Sequence, residues 1–185
     1  MVPLRLTCAL AAALALTACG HPSEEAGLDE PAREGLAIPI AGLEYNVFIT
    51  RQLNLDVVPD NALYEGPAAG KDQTLYGVFI QVCNREDEPA KSADQFRVLD
   101  AQENEFEPIE LPEDNAFAYH PKQLAPDECI PEVGSVAQQG PTAGSMLLFK
   151  LPLSTTENRP LELEIEGPFD VAEGKREMRT VELDL

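Results

Sequence analysis

The groups able to do chemistry are few in this chain of 185 residues: two histidines, four cysteines and 33 acidic side chains. A hydrolytic triad needs a Ser or Cys nucleophile beside a base that a third group orients. His120 is the one imidazole outside the N-terminal region, where His21 lies, and no Gly-x-Ser-x-Gly elbow surrounds any serine. A blue-copper site needs two imidazoles and a thiolate, which a single His cannot supply. Gly66-Pro67-Ala68-Ala69-Gly70-Lys71-Asp72 is one residue short of a phosphate loop between its glycines, and Asp72 stands where a magnesium-binding hydroxyl belongs. Carboxylate pairs such as Glu110 with Glu113, or Asp127 with Glu128, arise by accident among so many acids, and no Trp is present to build a sugar platform. Segments 84–88 and 110–114 offer carboxylate oxygens without the spacing of an EF-hand. The expectation is therefore no enzyme and no cofactor, with no catalytic or metal residues to name. The alternative is a small ligand or a calcium ion held by the acidic loops.

Charge removes a further class. The formal net charge is −20, and a nucleic-acid partner requires clustered Lys and Arg to displace condensed counterions. No basic stripe exists in the sequence, so the acids read as a solvated exterior.

The cysteines carry the most specific signal. Arg5 is the single charge before an apolar run of thirteen residues, 6–18, rich in Ala and Leu. A membrane span needs about twenty such residues, so residues 1–18 read as a signal peptide. The run ends in Leu16-Thr17-Ala18-Cys19, which resembles the bacterial lipobox. That resemblance implies transfer of a diacylglyceryl group, palmitate among its chains, to Cys19, cleavage after Ala18, and a lipid-anchored place on the extracytoplasmic face of the cell membrane or outer membrane. Cys8 leaves with the signal, and Cys83 with Cys129 remain as the expected disulfide of an oxidising compartment. Residues 19–37 are small, acidic and poor in large apolar groups, and are expected to form a flexible stalk.

The elements that position these groups are strands. Leu161, Leu163 and Ile165 alternate with Glu162, Glu164 and Glu166 before Gly167-Pro168, a period of two with one dry face. The same rule places Leu43, Tyr45, Val47 and Ile49 on one face, and Val78, Ile80 and Val82 on another. Phe96 and Val98, then Phe106, the apolar run 146–151, and Val181, Leu183 and Leu185 supply the rest. Sixteen Pro and twelve Gly punctuate the intervals, leaving about seven or eight strands and no helix-length pattern. Residues 38–185 are expected to form one all-β, antiparallel, Ig-like β-sandwich. Its long connections, 59–74 and 111–142, are the expected places for binding groups, since loops on a rigid scaffold carry most of them.

Val82-Cys83-Asn84-Arg85-Glu86-Asp87-Glu88-Pro89 is followed by Phe96-Arg97-Val98-Leu99-Asp100, Phe106-Glu107-Pro108, Leu124-Ala125-Pro126-Asp127-Glu128 and Phe149-Lys150-Leu151-Pro152. In that order these pieces resemble the telokin-like, Ig-fold domain of unknown function found in bacterial lipoproteins, related to a secreted mycobacterial immunoprotective antigen. Asn104 and Asp127 stand where family members often have Gly, a change that left-handed turns tolerate. The resemblance implies an exported Ig-like sandwich and no reaction. The expected role is a non-enzymatic binding module, held to the membrane by its lipid and meeting a protein partner in the cell envelope.

Overall fold

A computed structural model describes residues 30–184 of the chain. The signal segment, Cys19, the first part of the expected stalk and Leu185 lie outside the described residues.

Two sheets face each other across one dry interior. In the first, β11 (Leu161–Asp170) buries Leu161, Leu163 and Ile165 and turns the three intervening glutamates outward, as the period of two requires. β12 (Lys175–Leu183) and β6 (Gln95–Leu99) flank it antiparallel, adding Val181, Leu183, Phe96 and Val98 to the inner face. β1 (Ala32–Arg33) and β7 (Glu105–Phe106) complete the order β1-β12-β11-β6-β7. The outer face of this sheet is an opposite-charge ladder: Arg97 contacts Glu164 and lies 3.8 Å from Glu166, which Arg176 approaches at 3.4 Å. A face of this kind needs no cover.

The second sheet runs β10 (Ser145–Pro152), β4 (Gln73–Asn84), β3 (Leu43–Leu53), β2 (Ala37–Ile40), with β9 (Cys129–Ile130) paired to the end of β4. Leu43, Tyr45, Val47, Val78, Ile80, Val82, Leu147, Phe149 and Leu151 meet the first sheet. β5 (Ala90–Lys91) and β8 (Gln123–Leu124) form a separate pair. Seven of the described strands are four residues or longer, which matches the expected β-sandwich.

Three expectations need correction. The stalk was expected to reach residue 37, yet Ala32 and Arg33 pair parallel with Val181 and Glu182, and the Gly35 N–H donates to the Val47 carbonyl at 2.7 Å. Backbone pairing orders this segment, and composition carries no trace of it. Ile49 was expected on the face of Val47, but a bulge makes Ile80 and Phe79 the partners of Val47 and Ile49. The extra residue, Phe48, reverses the phase, so Thr50 takes the inner place opposite Val78.

The third correction concerns the long connections. Leu75 and Phe79 of β4, Met146 and Leu148 of β10, Leu53 and Leu63 form a second core on the outer face of the second sheet. Leu55, Tyr64, Ala69, Ile109, Leu111 and Phe117 pack against it. The connections expected to carry function are a third layer. Gly77 is required there, because a Cβ at that position would meet the Phe79 ring at 2.9 Å and the Met146 sulfur at 3.3 Å. Arg51, opposite Gly77, lies 5.8 Å from the centre of the Phe79 ring and pairs with buried Asp60. Asp60 also accepts the Asn54 N–H at 2.8 Å, so one carboxylate fastens the loop to β3. Burial alone would raise the Asp60 carboxyl; the Arg51 hydrogen bond, the Asn54 N–H and the Arg51 charge outweigh it and hold it below the usual carboxylate range.

Cys83 and Cys129 stand directly opposite on β4 and β9 and are joined, closing a separation of 46 residues. In the chain-entropy account, a loop of that length stabilises the fold by about 4 kcal/mol.

If the third layer is a true core, Leu148→Ala should cost about 2–5 kcal/mol in urea unfolding, as Leu163→Ala in the central core should. A cost at Leu148 comparable to an exposed substitution would return the long loops to solvent.

Candidate functional site

The covering layer leaves one cleft with varied chemistry. Residues 107–121 cross from the first sheet and hydrogen-bond along the free edge of β10: Ile109 N–H to Leu148 O at 2.6 Å, Met146 N–H to Phe117 O at 2.6 Å, and Tyr119 N–H to Met146 O at 3.0 Å. This crossing blunts the strand edge. Beneath it lies a cleft of about 330 Å³ whose polar rim is Asp94, Glu110, Glu113 and His120, with Phe96, Pro108 and Leu147 among its apolar walls.

His120, read from the sequence as a loop residue, lines this cleft, and its Nε2 is buried without a hydrogen-bond partner. Asp94 sits at the other side, its carboxyl held below the ordinary range first by the Lys91 ammonium at 2.8 Å and then by the charge of Arg176, against the opposing effect of burial. No Ser, Thr, Cys or Lys side chain lines the cleft, whereas Glu110 and Glu113, the carboxylate pair noted in the sequence, both do.

The cleft floor is rigid for a reason visible in its hydrogen bonds. The Tyr45 hydroxyl accepts the Ala93 N–H at 2.7 Å, and the Tyr119 hydroxyl donates to the Ala93 carbonyl at 2.9 Å. Both backbone polar groups of the buried residue Ala93 are thereby satisfied, one by β3 and one by the segment bonded to β10. The Tyr119 ring meets Phe96 edge-on, centroids 5.1 Å apart. Burial pushes the Tyr45 phenol up to about 12, and burial pushes Tyr119 up as well.

The other sequence candidates are structural. Asn84 is fully buried: its amide donates to the Glu88 and Leu124 carbonyls at 2.8 and 3.0 Å, and its oxygen accepts the Glu86 N–H at 2.9 Å. The acidic turn 84–88 is thus shaped by the Asn84 amide, which bonds to both of its neighbouring segments. Among the described residues no three His, Cys, Asp or Glu side chains are grouped to hold a metal ion. Asp127 does adopt the left-handed conformation, at φ 63°, but in the turn after β6 it is Glu103 at φ 61° and not Asn104 that does so. Asn104 instead donates to buried Asp100, which also accepts N–H groups from Gln102 and Asn104. Burial opposes ionisation of Asp100, and these bonds overcome it and lower its pKa. Sequence reasoning missed Tyr45, Tyr119 and Asp94 as one assembly, because their positions are distant and only the fold brings them together.

No protein-family model and no curated protein sequence matches the chain. Among solved structures, an uncharacterized β-sandwich protein of Clostridium difficile is similar at a TM-score of 0.51 and 15% identity, covering 89% of this chain and 100% of its own. The yjhA protein of Bacillus subtilis gives 0.48 and 10%, covering 83% and 99%. A candidate lipoprotein of Bacillus subtilis gives 0.47 and 11%, covering 79% of this chain and 38% of its own. The first of these likenesses supports the β-sandwich fold, a statement coarser than the telokin-like Ig domain that the sequence resembles.

The tyrosine clamp makes an alkaline prediction. A phenol whose folded pKa is raised stabilises the fold fully below the unfolded value of about 10 and loses that contribution as pH rises through the folded value. Unfolding free energy should therefore fall between pH ~10 and about 12. Tyr45→Phe should flatten that fall; an unchanged pH profile in the variant would show that the phenol is not held neutral by the fold.

Proposed function

We propose that the mature chain is an extracytoplasmic lipoprotein, tethered by acyl groups on Cys19, whose sandwich is a non-enzymatic binding module of the telokin-like Ig kind. The observation that carries this reading is the apolar run ending in Leu16-Thr17-Ala18-Cys19. A Cys83–Cys129 bridge fits the same oxidising location. The binding role draws support from the cleft itself: apolar walls carry the carboxylates of Asp94, Glu110 and Glu113, and the buried His120 nitrogen is an unpaired polar contact for a partner's side chain. The partner is an envelope protein in this reading, and the strongly acidic surface favours a basic one.

Growth on an alkyne analogue of palmitate tests the tether. The wild-type protein should be labelled and the Cys19→Ala chain should not; equal labelling of both, or none of either, contradicts the assignment. The binding role is tested by crosslinking on intact cells, where His120→Ala should weaken capture of the partner. Turnover in a broad hydrolase screen that disappears in His120→Ala would replace the binding reading with an enzymatic one.

A further inference from the structure

The hairpin between β11 and β12 is the part of the sandwich that the packing leaves over. Glu177 accepts the Ala41 N–H at 2.7 Å, and a Cβ on Gly167 would touch Ile40 and Ala41, so the turn between β2 and β3 ends level with residues 167 and 177. Residues 168–176 therefore project past the second sheet. Their apolar side chains face water: Phe169 is 54% exposed and Val171 87%, and Met178 at the base of the hairpin is 48%. Phe169 lies opposite Arg176, which shares the outer face of β12 with Met178, so Phe169 and Met178 lie on one face of the hairpin, with Val171 in the turn beyond them.

Two further features indicate what covers this patch. The first is where the chain enters. β1 runs parallel to β12 with Ala32 beside Val181, so the residues before it arrive from the Lys175 end, the end that bears the hairpin. Lys175 is six residues from Val181 along β12, about 20 Å at strand spacing. Eleven residues join Cys19 to Glu30, a reach of at most about 40 Å. An anchor at Cys19 therefore lets the tip touch the anchoring surface. The second is charge. The chain carries a net −20, yet on this hairpin Lys175, Arg176 and Arg179 balance Asp170, Glu173 and Glu177. Each of these cations stands beside an acid, Lys175 with Glu173, Arg176 with Glu166 and Arg179 with Glu177, so the hairpin is locally neutral and an anionic surface repels it less than it repels the chain as a whole.

We propose that the β11–β12 hairpin is a membrane-docking tip that seats Phe169, Val171 and Met178 in the interface of the bilayer holding the lipid anchor, fixing the orientation of the sandwich above it. The inference rests on acylation of Cys19. Exposed apolar residues on a locally neutral hairpin with Lys and Arg at hand suit the boundary between headgroups and acyl chains.

The absence of Trp from the chain allows a single reporter. The full-length lipidated protein carrying Val171→Trp is placed in phosphatidylethanolamine–phosphatidylglycerol vesicles, with and without brominated acyl chains, beside the same protein carrying Leu153→Trp at the opposite end. For a tip seated roughly 5–10 Å into the boundary, the Val171→Trp emission should shift to the blue and be quenched by bromine at least about twofold more than the Leu153→Trp emission. Adding Phe169→Asp and Met178→Asp should abolish the difference. These sites are exposed, so unchanged thermal unfolding is expected and confirms that each variant is folded.

Acyl mass on Cys19 together with a Val171→Trp spectrum no different from that of the Cys19→Ala chain in buffer overturns the tip and leaves the anchor standing. Absence of acyl mass overturns both. A blue shift in the Cys19→Ala chain that grows with protein concentration without vesicles gives the patch to a second copy and overturns the proposal.

Discussion

The interaction on which the molecule depends is the burial of β4 and β10 on both faces. Leu75, Phe79, Met146 and Leu148 point away from the central core yet are as deeply buried as the residues within it. Leaving such side chains in water would cost about 1.5–3 kcal/mol each, so the second sheet cannot exist as the outer wall of a two-layer sandwich. A third layer is required, and the two long connections supply it. Their polar fastenings follow from the same need: Asp60 holds residues 54–60 to Arg51, and the Asn115 amide reaches the Leu63 carbonyl at 3.0 Å to tie one loop to the other.

The first sheet faces no such demand. Its outer surface pairs Arg97 and Arg176 with glutamates and is stable against water. The asymmetry explains where function has room. On the side of the second sheet the loops are occupied with packing, and the cleft that His120 lines opens where the cover meets β6 and β10. On the side of the first sheet the strands run on beyond their partners and end in a hairpin that exposes Phe169 and Val171. Both features are consequences of unequal sheets.

Much of the sandwich was legible in the alternation of β11, where Leu161, Leu163 and Ile165 are each followed by a glutamate. The disulfide was also legible, because two cysteines remained once the N-terminal pair had been assigned. The bulge at Phe48 was not, since an inserted residue changes phase without changing composition. The double burial of β10 had a signal, the apolar run 146–151 interrupted only by Lys150, because a strand buried on one face alone alternates. Leu63, Leu111 and Phe117 carried the matching signal within the loops, against the general rule that loops serve function. Tyr45 and Ala93 hold Tyr119, which lines the cleft, from distant segments, and no local pattern could have joined them. The hairpin at residues 169–178 was hidden for the opposite reason: its Lys, Arg, Glu and Met mixture reads as an ordinary polar turn until the neighbouring sheet is seen to stop short of it.

Native-state hydrogen exchange resolved at single amides tests the three-layer account most directly. The Leu63, Ile109 and Tyr119 amides, which bond to Asp60, Leu148 and Met146, should be protected to nearly the degree of β4 and open only with global unfolding. Exchange of these amides at the rate of exposed loops, while β4 stays protected, would contradict it.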